Sequence, residues 1–132
     1  AFPPDLTKHR EALHWFDRYS FAAQSLRRTG STALNLAYVA AGRFDGFWAF
    51  DNHVWDVAGG VVLILEAGGL LTNIDGTEYD PFTPDSLASN GRVHQEMQEM
   101  FAATDRGCPA SAFWSACGFD TALEFFLRCP ST

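Results

Sequence analysis

Val54-Trp55-Asp56-Val57-Ala58-Gly59-Gly60-Val61-Val62-Leu63-Ile64-Leu65-Glu66-Ala67-Gly68-Gly69 decides how this chain is read. Asp56 is the only ionisable group between His53 and Glu66. The apolar run from Val57 to Leu65 reads as buried helix, part of a helix from Val54 to Ala67. Asp51 or Asn52 is expected to cap its start, and Gly68-Gly69 to end it. A carboxylate at the mouth of a buried helix needs compensation from helix N–H groups, a cation, or both. On spacing alone, Asp56 fits a helix-start residue satisfied by backbone donors, and it also fits a cation ligand.

Upstream of this stretch, Phe47-Trp48-Ala49-Phe50 is aromatic-rich and bounded by Asp45-Gly46 and Asp51-Asn52, so it reads as a strand. Before it, Gly30-Ser31 opens a helix with Ala33, Leu34, Ala37, Tyr38 and Ala41 on one side and Gly42 at its left-handed end. Arg27-Arg28-Thr29 is a candidate short strand. Thr7 is a plausible cap for a first helix, about Lys8 to Ser25, with Ala12, Phe16, Tyr19, Ala23 and Leu26 as its buried stripe. Downstream, Leu70 to Asn73 reads as a strand, Asp75-Gly76 as a turn, and Ser86-Leu87-Ala88 as a short strand. Asn90-Gly91 then leads into a helix from about Arg92 to Ala103. Strands and helices alternate, so the expected class is α/β: a mixed sheet with flanking helices. Residues 104–132 differ. They hold Cys108, Cys117 and Cys129 and many aromatics, and read as an atypical tail with one helix, Asp120 to Arg128.

Bulk properties set limits. The 132 residues suit one domain, and 47% hydrophobic with 19% charged residues is a globular composition. A net charge of -7 argues against nucleic acid or an anionic membrane as the main partner. It leaves room for a phosphorylated substrate, because a metal reverses the local sign. The longest apolar run is about half of what spans a bilayer. Ala1 to Asp5 lacks the basic and apolar regions of a signal peptide. Three widely spaced cysteines without a C-x-x-C pair suggest neither a disulfide framework nor a zinc site, and a reducing cytoplasm is the expected compartment.

Two segments together resemble the C-terminal half of the inositol monophosphatase family of metal-dependent sugar phosphatases. One runs from Arg28 to Trp48 and contains Gly30-Ser31-Thr32-Ala33-Leu34-Asn35-Leu36; the other is Trp55-Asp56-Val57-Ala58-Gly59-Gly60 with Glu66-Ala67-Gly68-Gly69. The resemblance covers about residues 1 to 100. It implies the second half of a layered α-β-α-β-α sandwich, with residues 1–103 as the family portion. It further implies Mg²⁺ held by carboxylates, which activates water against a phosphate monoester. Asp56 matches the metal-binding aspartate of the family's W-D motif. Gly30, Ser31 and Thr32 match a segment that contacts substrate at the start of a helix. Ala49 stands where the family often has a glutamate that bonds a substrate hydroxyl, so strict inositol specificity is not expected. Asp51 or Asn52 is near enough in sequence to offer a substitute acceptor. Family members are commonly homodimers.

The family's other metal ligands lie in a glutamate-containing segment and a D-P-[IL]-D-G-T motif, neither of which occurs in these residues. Asp75-Gly76-Thr77 lacks the proline and the first aspartate, and reads as a hairpin turn. One carboxylate cannot hold ions that each need about six oxygens. The expectation is therefore an incomplete portion of a phosphatase, needing its N-terminal half. The competing reading is a non-catalytic half-domain that binds a partner chain. No catalytic residue is assigned within the chain, since Ser31 has no His/Asp set beside it. His53 reads as a polar helix-start residue. His9, His14 and His94, with no second ligand at i+3 or i+4, read as solvated. Arg27-Arg28 could meet a phosphate or pair with surface acids, and Glu96 and Glu99 read as a solvated face.

Overall fold

The computed structural model describes residues 5–103. Asp5, rather than Thr7, starts the first helix, α1 (Leu6–Ala22): its Oδ1 accepts the N–H groups of Thr7 and Lys8, each at 3.0 Å. An aspartate serves this role at least as well as threonine. Ala12, Trp15 and Tyr19 form the buried stripe, so Trp15 takes the place expected of Phe16. Arg27 to Thr29 is irregular rather than a strand. Strand backbone needs a neighbour to take its N–H and C=O groups, and among the described residues none pairs with this segment.

Ser31 caps α2 (Thr32–Ala40), its Oγ accepting the Leu34 N–H at 3.3 Å. The buried residues of α2 are Asn35, Leu36 and Val39, while Ala33 and Leu34 are exposed. A helix that is apolar nearly all round offers several equivalent stripes, and packing chooses between them. Gly42 takes the left-handed conformation (φ 69°) expected of it.

Strand β1 (Gly46–Ala49) leads through a four-residue loop into α3 (Val54–Glu66), which returns to β2 (Leu70–Thr72). β3 (Ser86–Ser89) lies between them, in the order β1-β3-β2, and α4 (His94–Ala102) follows. Phe47 pairs Ala88, which pairs Leu71; Trp48 pairs Leu87, which pairs Thr72. Both pairings are antiparallel, where a mixed sheet was expected. β1 and β2 do run the same way, as a crossover helix requires, but β3 separates them. The hairpin between β2 and β3 turns at Asp75-Gly76 as expected: Gly76 has φ 86°, and Asp75 Oδ1 accepts both the N–H and hydroxyl of Thr77.

Strand alternation assigns the two faces of the sheet. Trp48, Phe50 and Leu87 pack with Ala12, Trp15, Tyr19, Met100 and Phe101, putting α1 and α4 on one side. Phe47, Leu71 and Ala88 pack with Leu36, Val39, Val57 and Ile64, putting α2 and α3 on the other. The result is a helix–sheet–helix sandwich. α3 is only half covered: Val57, Gly60 and Ile64 are buried, whereas Trp55 is 78% exposed, Val62 59% and Leu65 60%. The all-apolar sequence had suggested burial all round, but α2 and the sheet cover one side only. No helix among the described residues is long and apolar enough to cross a membrane. The tail helix expected at 120–128 and the three cysteines lie outside the described residues.

His94 is buried, not solvated as its helix position suggested. Its Nε2 lies 3.1 Å from Thr72 Oγ1 and its Nδ1 2.9 Å from Ser89 Oγ. The Ser89 Oγ also accepts the Gly91 N–H. Both ring nitrogens are thus held by hydroxyls, the neutral ring donating through one and accepting through the other. Burial lowers the His94 pKa from its ordinary value. An unfolded histidine titrates near 6.5, so stability from the neutral ring is full above that pH and lost as pH falls below it. Thermal melts are expected to show a falling Tm between about pH 7.5 and 5.5, a slope that His94→Gln flattens. An unchanged slope in that variant would overturn the assignment.

Candidate functional site

The end of β1 and the starts of α2 and α3 meet at one end of the sandwich. They border a cleft of about 790 Å³ whose wall includes Gly30, Ser31, Thr32, Ala49 and Asp56. The structure thus brings the five residues assigned to the site from the sequence onto one cleft.

Each is placed by local chemistry. Gly30 has φ 81°, and nothing lies within 4 Å of the position a Cβ would take. Its glycine is required by backbone conformation, not by space. It turns the chain so that Ser31 can cap α2. Thr29 Oγ1 donates to buried Asn35 Oδ1 at 2.7 Å, which pins the same turn from inside. The first N–H groups of a helix have no intrahelical acceptor, so the start of α2 suits an anionic or hydroxylated ligand.

The loop from β1 to α3 is held at several points. Asp51 is the only non-glycine with positive φ (61°) among the described residues. Its N–H donates to Asp85 Oδ1 at 3.0 Å, and its carboxylate pairs with Lys8 Nζ at 3.3 Å. Asn52 donates its N–H to the Pro84 carbonyl at 2.7 Å. Its side chain accepts from Thr32 Oγ1 and donates to Ser86 Oγ, both at 3.0 Å. With these residues occupied, His53 becomes the cap of α3 in place of Asp51 or Asn52. Its ring stacks on Trp55 at 4.6 Å, with both residues exposed.

Asp56 stands in the first turn of α3 and is exposed. Its Oδ2 accepts the His53 N–H at 3.3 Å, and its own N–H donates to the His53 carbonyl at 2.9 Å. That is the helix-start role, made with one carboxylate oxygen and a long bond. Among the described residues, no group of three or more His, Cys, Asp or Glu could hold a metal. One carboxylate among the described residues does not by itself make a metal site.

Arg27, Arg28 and Arg43 line the same cleft, together with the acids Asp45, Asp51 and Asp56. Glu96 lines it too, and its Oε2 is buried with no hydrogen-bond partner among the described residues. The sequence placed Glu96 on a solvated face, as holds for exposed Glu99. Glu96 turns inward because it lies one residue from Met97, which packs against the α1 and α4 core. A helix register does not reveal such a boundary position from sequence.

The model of the inositol monophosphatase family matches residues 4–109. The chain belongs to the inositol monophosphatase family. Inositol-1-monophosphatase of Synechocystis sp. is 44% identical over 81 residues, 61% of this chain and 28% of that protein. Inositol-1-monophosphatase of Caulobacter vibrioides is 42% identical over 96 residues, 72% of this chain and 38% of that protein. Among solved structures, the inositol monophosphatase of Anabaena (Nostoc) sp. superposes with a TM-score of 0.66 at 38% identity, covering 76% of this chain and 40% of that one. The extragenic suppressor protein suhB of Bartonella henselae reaches a TM-score of 0.70 at 32% identity, over 80% of this chain and 40% of that one. This member of the inositol monophosphatase family thus spans well under half the length of the relatives it matches.

Proposed function

We propose that this chain is the C-terminal α/β portion of a Mg²⁺-dependent phosphomonoesterase acting on a phosphate monoester of inositol or a related polyol. The observation that carries the reading is the shared cleft: in a family member, the start of α2 and the Asp56 end of α3 open onto one space. Asp56 would be one metal ligand, and the remaining carboxylates would come from the rest of the family domain. Bound there, the metal would supply an activated water and neutralise phosphate oxygens.

This chain's own residues supply binding. Gly30, Ser31 and Thr32 present the open start of α2 to the substrate. Ala49 offers no acceptor for a substrate hydroxyl, so discrimination for that hydroxyl is weak. The complete enzyme would be a cytoplasmic homodimer, and the net charge of -7 on this chain argues against nucleic acid or an anionic membrane as its main partner. No observation favours the non-catalytic half-domain.

The test is phosphate release from a panel of polyol and sugar phosphates, with and without Mg²⁺. It compares the chain alone with the chain joined to the rest of a family domain. Release that needs Mg²⁺ and the joined form, with several polyol phosphates accepted, is the expected result. Equal release by the chain alone would sink the claim that its site is incomplete, and no release from any substrate by the joined form would sink the phosphatase reading.

A further inference from the structure

We infer that Asn52 is a positioning residue that sets the spacing between the start of α2 and the start of α3. The inference rests on the proposed function for its catalytic meaning, but the geometry stands by itself. Thr32 is the first residue of α2, and Asn52 immediately precedes His53, the cap of α3. One side chain joins them: Thr32 Oγ1 donates to Asn52 Oδ1 at 3.0 Å. The other end of the same carboxamide donates to Ser86 Oγ, at the start of the central strand and 3% exposed. The Asn52 N–H bonds the Pro84 carbonyl at 2.7 Å. Two bonds at opposite ends of the carboxamide orient the side chain, and the backbone bond holds its root.

The backbone around it is held against its preference. Asp51 occupies the left-handed region at φ 61° and is fixed by Asp85 and Lys8. A strained residue persists only where its surroundings over-determine it. Here the strain turns the chain sharply after β1, so that Asn52 faces Thr32. Next along the chain, the His53 N–H and carbonyl bond the Asp56 carboxylate and N–H. A continuous path therefore runs from Thr32 through Asn52 and His53 to Asp56. A shift of Thr32 is carried to Asp56, the residue proposed to face the metal.

Thr32→Val tests this with the shape kept and the donor removed. In the chain joined to the rest of a family domain, Thr32→Val is expected to raise KM about fivefold, the worth of one neutral hydrogen bond. It is also expected to raise the Mg²⁺ concentration giving half-maximal activity by a similar factor, although Thr32 is not placed on the metal. Thr32→Ser, which keeps the hydroxyl, restores both. Adding Asn52→Ala to Thr32→Val costs less than the two single effects multiplied. A variant that merely folds less well lowers kcat at unchanged KM and unchanged Mg²⁺ response. Amide exchange read on the same proteins needs no activity: Thr32→Val is expected to speed exchange across residues 54–57 as well as 32–35. Confinement of its effects to KM and to residues 32–35 would overturn the joint. Wild type without Mg²⁺-dependent release, but with coupled exchange, would overturn the phosphatase reading and uphold the joint.

Discussion

Asp56→Asn is expected to lower Mg²⁺-dependent phosphate release at least about 100-fold in the chain joined to the rest of a family domain. Outer partners of metal ligands already cost 10- to 100-fold when removed, and Asp56 is placed on the metal itself. A 100-fold loss is about 2.7 kcal/mol of transition-state stabilisation. The fold should barely register the change. Asn is nearly the same shape as Asp, and its Oδ1 can still accept the His53 N–H that Asp56 Oδ2 accepts at 3.3 Å. What the fold loses is the attraction between a negative charge and a helix N-terminus, about 0.3–1 kcal/mol when exposed. The expected signature is thus a large kinetic effect with a Tm shift of a few degrees. Activity unchanged in Asp56→Asn would remove Asp56 from the metal. A lost fold would show instead that its carboxylate is mainly a helix-start group.

Much of this was legible because the relevant signals are local. Ser31 capping α2, Gly42 and Gly76 in left-handed turns, and strand-like Phe47 to Ala49 follow from residue type and immediate neighbours. The candidate site was legible for another reason. Its residues lie in two segments of a family pattern, and the fold places both at the same end of the sandwich. What stayed hidden depends on partners distant in sequence. His94 looked solvated on a helix and is buried because Thr72 and Ser89, on two strands, supply its bonds. Asn52 looked like a helix cap or a hydroxyl acceptor, but Thr32, Ser86 and Pro84 claim its groups. Glu96 looked like one more surface acid. α3 looked buried all round because its sequence is apolar all round, and in this chain one face, with Trp55, Val62 and Leu65, lies open.

The two neighbouring glycines of α3 show the same limit, and they carry the largest stability effect expected here. In sequence Gly59 and Gly60 are indistinguishable. In the fold, nothing lies within 4 Å of a Cβ built on Gly59, whereas one built on Gly60 falls 2.5 Å from the Cβ of Leu36. Leu36 is 1% exposed and central to the contact between α2 and α3. The clash is with the root of its side chain, so no rotamer change relieves it and the helices must separate. Gly60→Val is therefore expected to destabilise the chain by about 3 kcal/mol, the upper range for overpacking. For a domain of this size that is a Tm drop of more than about 10 °C. Gly59→Ala should move the other way, by up to about 1 kcal/mol, since alanine is the better helix former and meets no neighbour. Pairing Gly60→Val with Leu36→Ala should cost less than the sum of the two, because the second change removes what the first collides with. Thermal melts of the four variants decide it, and equal destabilisation at 59 and 60 would refute the packing. The consequence reaches the site. Gly60 sits four residues after Asp56 and Leu36 four after Thr32, so the close approach of α2 and α3 fixes how far apart those two residues stand. In the chain joined to the rest of a family domain, a partly folded Gly60→Val protein should accordingly lose activity beyond its loss of folded fraction.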